Sequence, residues 1–185
     1  MKVIRETSDF YIERPTAVCI GKFDGVHRGH RKLLEKIVAK KQEGLLATVF
    51  TFNPSPAELF TGRKEIELCS TVEKESYLEE LGIDIIIEFP LTFESAAMKP
   101  EAFVKDILID KLSMKYIAAG PDLSFGDKGA GDWNLIERLA KQYNFEYDVI
   151  EKVKADGKDI SSSRIKKAME TGSVEEAYRM LGRIK

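Results

Sequence analysis

Between Val18 and His30 the chain passes from an apolar run (Val18, Cys19, Ile20) through glycines at 21, 25 and 29 and histidines at 27 and 30. It then enters a cation-rich segment whose apolar residues Leu33, Leu34, Ile37 and Val38 recur at helical spacing. Strand, tight turn and helix start follow within a few residues, as a βα unit requires. Glycines let the backbone turn and approach a ligand closely, and a helix start presents unpaired N–H groups and the positive end of its dipole. Such a junction suits phosphate. Both histidines of the chain lie in it, where their ring N–H groups can donate to phosphoryl oxygens.

The pattern continues in the same style. Lys2 to Arg5 reads as a short edge strand, Thr16 to Ile20 as the first central strand and His30 to Lys41 as a helix, with Gly44 as its C-cap. Leu45 to Phe52 reads as a buried strand that Asn53-Pro54-Ser55-Pro56 terminates, because two prolines cannot continue a central ladder. Residues 57 to 67 read as loop with one helical turn. Thr71 is expected to cap the next helix, although Lys74 stands where a capping box wants Glu or Gln. Further strands are expected at 83–89, 116–119 and 145–153, and helices after Pro100, Asp132, the serines at 161–163 and Ser173. Residues 155–158 read as a hairpin-like turn. Alternating strands and helices imply an α/β fold with a doubly wound parallel sheet, whose ligands bind at the carboxyl ends of the strands near the switch point.

Two further stretches carry chemistry in this reading. Ser161-Ser162-Ser163-Arg164-Ile165-Lys166 places three hydroxyls, backbone amides and two cations at a helix start, which suits triphosphate oxygens as well as an ordinary N-cap. The loop from Gly120 to Gly131 is dense in glycine and falls at a strand end. It and the serine run can therefore converge with the histidine loop on one crevice.

With 185 residues the chain suits a single domain spanning 1–185. A net charge of −2 gives no support for nucleic-acid binding, and no apolar run approaches the ~20 residues of a membrane helix. The start Met1-Lys2-Val3-Ile4-Arg5 lacks a signal-peptide core, and Cys19 and Cys69 make neither a disulfide framework nor a metal quartet. A cytoplasmic protein without a protein-held metal is expected.

The string Gly21 to His30, G-x-F-D-G-V-H-x-G-H, resembles the first motif of the FMN adenylyltransferase (FAD synthetase) module of bacterial bifunctional riboflavin kinase/FAD synthetases. Its H-x-G-H core is shared by nucleotidylyltransferases generally. Ile160 to Lys166 is similar to the second motif, I-S-S-x-x-x-[R/K], with Ser163 for the usual threonine and Lys166 for the usual arginine. Asn53-Pro54-Ser55-Pro56 resembles (D/N/E)-P-H-P with Ser55 in place of histidine, and Gly120 to Gly131 resembles the family's G-x-D/N-F-x-F-G loop with Leu123 for an aromatic residue. Ala177 to Arg183 looks like the A-x-x-L-L-G-R that precedes the kinase module in bifunctional members.

The resemblance implies a Rossmann-like nucleotidylyltransferase fold and transfer of AMP from ATP to FMN, giving FAD and pyrophosphate with Mg²⁺ carried by ATP. It implies His27, His30, Asn53 and Lys166 in catalysis. Gly21, Phe23, Asp24, Gly25, the two histidines, Ser161, Ser162, Ser163, Arg164 and Lys166 would hold ATP; Asn53, Pro54, Pro56, Asp122 and Phe125 would face the flavin. With no residues left for a kinase barrel, no riboflavin kinase domain and no kinase activity are expected. Two alternatives stay open: a nucleotidyltransferase with another phosphorylated acceptor, and a non-catalytic flavin- or nucleotide-binding module. The sequence leaves the oligomeric state undetermined.

Overall fold

The computed structural model describes residues 1–183. Among them, six parallel strands form one sheet in the order β1-β4-β3-β2-β5-β6, built from Lys2–Arg5 (β1), Thr16–Ile20 (β2), Leu46–Asn53 (β3), Ile85–Pro90 (β4), Met114–Ala119 (β5) and Glu146–Val149 (β6). The chain winds outward from β2 through β3 to β4, then returns to the other side of β2 with β5 and β6. The switch point thus lies between β2 and β5, next to the glycine-rich junction.

Central strands are buried on both faces, which explains their nearly continuous apolar sequences. Ala17, Cys19, Val49 and Ile86 pack on one side with Leu34 and Ile37 of the helix Arg28–Ala39 (α1) and Leu78 of Thr71–Glu80 (α3). Val18, Phe50, Ile87 and Ile117 pack on the other with a helix starting at Pro100 and with Trp133–Tyr143 (α6). Two short helices, Pro56–Thr61 (α2) and Phe93–Ala96 (α4), follow β3 and β4. The helix after Pro100 starts as Pro100–Ala102 (α5) and continues as a π-helix over Phe103–Lys111, where Leu112 N–H bonds the carbonyl of Ile107. No described helix is long and apolar enough to cross a membrane.

Several local expectations shift. Ser70, not Thr71, caps α3: its hydroxyl accepts from Glu73 N–H while Glu73 returns to Ser70 N–H, the reciprocal pair that Lys74 cannot supply. Residues 56–61 form a six-residue helix rather than one turn, because Ser55 makes the same capping box with Glu58. The strand expected over 145–153 is only Glu146–Val149, since its sole neighbour β5 ends at Ala119. Residues 151–153 leave the sheet beyond it.

A hairpin of Lys154–Ala155 (β7) and Lys158–Asp159 (β8) leads into a helical pair, Ser162–Glu170 (α7) and Val174–Leu181 (α8). This pair has its own small core of Ile160, Ile165, Ala168, Ala177, Met180 and Leu181. It docks against the loop after β2.

Candidate active site

A cleft of about 450 Å³ opens over the carboxyl ends of the strands at the switch point. Its floor and walls include Gly21, Phe23, His27 and His30 after β2, Thr51, Phe52, Ser55 and Pro56 around the end of β3, Gly120 to Ser124 after β5, Ile150 to Val153 after β6, and Ile160 to Ser162. The three stretches that the sequence singled out do converge. A smaller polar pocket adjoins it under β3 and β4, sharing Lys22, Thr51, Phe52 and Ser55 and adding Asn53, Lys64, Lys74 and Glu88.

The histidine loop is built in an unusual backbone conformation. Phe23, Gly25 and Val26 have φ of 53°, 76° and 41°, so two non-glycine residues sit in the left-handed region within four positions. Each such residue costs about 1–3 kcal/mol, and more readily so when β-branched like Val26. Gly25 is required twice over. Besides its φ, a Cβ there would meet Leu68 at 3.0 Å and Leu181 at 3.2 Å.

What holds this turn comes from distant parts of the chain. Asp24 is buried; its Oδ1 accepts from Leu68 N–H at 2.7 Å, and its Oδ2 lies 2.8 Å from Lys166 Nζ, a charge contact outside good hydrogen-bond alignment. Ser162 Oγ donates to the Asp24 carbonyl at 3.0 Å, and Arg183 donates to the Gly25 carbonyl at 2.8 Å. These contacts bolt α7 and α8 onto the F-D-G turn.

The turn delivers His27 as the N-cap of α1: its Nδ1 accepts from His30 N–H at 3.3 Å, which puts the proton of the neutral ring on Nε2. His27 and His30 stack with centroids 3.6 Å apart and planes 15° from parallel, and Phe23 leans on His30 at 5.2 Å. Burial pushes the His27 imidazole down to about 4 against the opposing pull of Asp24. Burial, then the neighbouring His27, holds His30 well below the usual imidazole range. Both rings are therefore neutral near pH 7. Each offers one N–H donor and no charge.

On the facing side, Ser161 caps α7 by accepting from Arg164 N–H at 3.2 Å, so the helix aims its first N–H groups at the cleft. Asp122 and Lys152 join the loops after β5 and β6 in an ion pair of 2.9 Å, and the ammonium lowers the Asp122 carboxyl below its ordinary value. Among the described residues no group of three or more His, Cys, Asp and Glu side chains has metal-holding geometry.

Of the candidates from sequence, Gly21, Phe23, His27, His30, Pro56, Asp122, Ser161 and Ser162 line the cleft. The remaining candidates stand elsewhere. Asp24 and Gly25 are buried beneath the histidine loop and shape it from behind. Lys166 is turned to Asp24, and Ser163 is exposed beside the helix start. Arg164 is committed to the β7–β8 hairpin and α8: its guanidinium bonds the carbonyls of Ala155 and Lys158 at 2.9 Å and Glu176 at 2.7 Å. Asn53 lines the adjoining pocket, and Pro54 follows it through a cis peptide bond outside both cavities. Phe125 is buried against Phe103 at 5.8 Å, in the core under its loop rather than in the cleft. Lys22 and Lys152 also line the cleft and Arg183 reaches the loop behind it, and sequence reasoning singled out none of the three. For Arg183 its partner lies too far along the chain to leave a local signal.

Residues 10–164 match the FAD synthetase family. A bifunctional riboflavin kinase/FMN adenylyltransferase from Buchnera aphidicola is 35% identical, with 99% of this chain and 60% of that protein covered. The protein of the same description from Escherichia coli is 33% identical, with 98% and 59% covered. The chain thus spans about 60% of the length of these relatives. A Listeria monocytogenes protein described as FAD synthetase is 32% identical, with 91% of this chain and 69% of that protein covered. Among solved structures, a Streptococcus pneumoniae protein described as a macrolide-efflux protein superposes with a TM-score of 0.84 at 26% identity over 98% of this chain and 61% of the other. Pantothenate synthetase from Thermus thermophilus shares the fold with a TM-score of 0.54 at 17% identity, over 98% of this chain and 81% of the other. A parallel sheet with its histidine loop at the switch point and a matched span of 155 residues place the chain in one group: it belongs to the FAD synthetase family.

Proposed function

We propose that the cleft transfers the adenylyl group of ATP to the phosphate of FMN, forming FAD and releasing pyrophosphate. One observation carries the reading beyond family membership: two stacked neutral imidazoles and the N-terminus of α7 line the same cleft at the switch point. Donors without net charge, fixed before the reaction, suit a transition state whose charge develops on phosphoryl oxygens.

A phosphate oxygen of FMN attacks the α-phosphorus of ATP, and the bond from that phosphorus to the bridging oxygen breaks. The electron pair leaves with pyrophosphate. The attacking phosphate is already ionised near neutral pH, so positioning and charge stabilisation are the protein's main tasks. His27 and His30 serve the α-phosphate, while Ser161, Ser162, Ser163 and the first amides of α7 serve the β/γ end. Lys166 contributes through Asp24, and Arg164 by fixing the start of α7. Gly21 leaves the cleft floor open, and Pro56, with Asn53 and Pro54 behind it, shapes the acceptor side; Asp122 stands at the wall after β5. Mg²⁺ accompanies ATP and offsets triphosphate charge. We place the reaction in the cytoplasm, with its ATP supply.

The purified chain is to be incubated with MgATP and FMN, with flavins followed by chromatography and pyrophosphate by a coupled assay. Equal yields of FAD and pyrophosphate are expected. Tight ATP binding with no FAD from FMN would overturn the proposal.

A further inference from the structure

We propose that Arg183 is a positioning residue for His27 and His30, acting through the carbonyl of Gly25; its catalytic consequence rests on the adenylyl-transfer reading above. Arg183 Nη2 donates to that carbonyl at 2.8 Å, and the guanidinium carbon lies over the Tyr77 ring of α3, 3.7 Å from its centroid. Its Nε is buried with no hydrogen-bond partner among the described residues. The Arg183 backbone is itself anchored, its N–H bonding the carbonyl of Tyr178. The side chain is thus sandwiched between α3 and the F-D-G turn. Among the described residues its guanidinium makes that one hydrogen bond, and its charge also reaches Glu73 of α3.

That oxygen matters because it belongs to the peptide joining Gly25 to Val26. Rotation of this peptide plane changes ψ of Gly25 and φ of Val26 together. Val26 sits at φ 41°, a conformation that a β-branched residue leaves unless held. Relaxing φ of Val26 without full compensation at ψ of Gly25 would swing His27, the next residue, out of its N-cap position and out of its stack on His30. Two hydrogen bonds on this peptide oppose that movement: the charge-assisted one from Arg183 to its carbonyl, and the one from its own Val26 N–H to the Phe23 carbonyl at 3.1 Å. A planar guanidinium can stack on Tyr77 and still aim an in-plane N–H at the carbonyl, which an ammonium cannot do.

The test compares wild type, Arg183→Ala and Tyr77→Leu, the last removing the platform but not the donor. For Arg183→Ala, kcat for FAD formation is expected to fall by about 10–100-fold, the effect of a misplaced donor. KM for ATP should stay within about threefold. Millimolar guanidinium ion, but not urea, should restore part of the loss. The chain has two histidines, so imidazole NMR reads the loop directly without turnover. In the variant the His27 midpoint should rise from about 4 toward that of an exposed imidazole. An unmoved His27 titration with kcat within about threefold of wild type would overturn the proposal. So would parallel losses in kcat, KM and melting temperature that guanidinium does not rescue, which would mark a packing role. If Arg183→Ala does not fold, Tyr77→Leu decides by the same readouts with a smaller loss. Should wild type make no FAD, the adenylyl-transfer reading fails alone, and the imidazole titration still decides whether Arg183 orders the loop.

Discussion

Replacing His27 by glutamine should flatten the dependence of stability on acid. The His27 side chain is 5% exposed, and burial lowers its imidazole from 6.5 to about 4. Between those values the unfolded chain binds a proton that the native state does not, so stability falls as pH falls through the window. With these two limits the His27 contribution lost is about 1.5 kcal/mol at about pH 5.5 and about 2.5 kcal/mol at about pH 4.5. His30 is shifted in the same direction and adds to the slope. Urea unfolding of wild type and His27→Gln at about pH 7.5, 5.5 and 4.5 isolates His27 together with its coupling to His30, because the remaining titrations are shared by both proteins. Wild type should lose roughly 2 kcal/mol more than the variant across that range, whatever their offset at neutral pH. Parallel curves would refute the claim that His27 is held neutral by burial.

Three further outcomes follow from the site and its supports. His30→Ala should lower turnover for FAD formation by about 10²–10³-fold, as loss of one preorganised donor does, and near-normal steady-state rates would sink its assignment. Gly25→Ala combines a left-handed φ with crowding against Leu68 and Leu181, so it should destabilise by about 2–4 kcal/mol and lower the melting temperature by roughly 5–15 °C. An unchanged calorimetric transition would contradict the packing described for that turn. Ser55→Ala should cost about 1 kcal/mol in chemical denaturation through loss of the α2 cap, and a neutral result would remove the capping role.

Fold class was legible because the signals were local: apolar strands of the right length, glycine at the turns, and helical spacing in α1. The histidine loop and serine run were legible for the same reason, each being a contiguous string at a strand end or helix start. Ser70 shows a signal present but misassigned, since two adjacent residues can cap and only Ser70 has a glutamate three positions on. Ser55 shows what the departure from the family pattern does locally, as serine at that place caps a helix. The orientation of Lys166 and Arg183 was not legible. Their partners, Asp24 and Gly25, lie in another part of the chain, and no local pattern distinguishes a cation aimed at ligand from one holding a loop.

The ties between the F-D-G turn and the helical pair join residues 138 and 158 positions apart. The helical pair they fasten has only a small core of its own, so it undocks at lower free energy than the six-stranded sheet opens. The single tryptophan, Trp133, donates from its indole to the Gly120 carbonyl at 2.9 Å, so its emission reports closure around β5 and not docking of α7 and α8. In a urea titration, activity should therefore be lost before tryptophan fluorescence changes. Between the two midpoints, a form with a closed sheet and an unfastened histidine loop is expected, compact by spectroscopy and chemically idle.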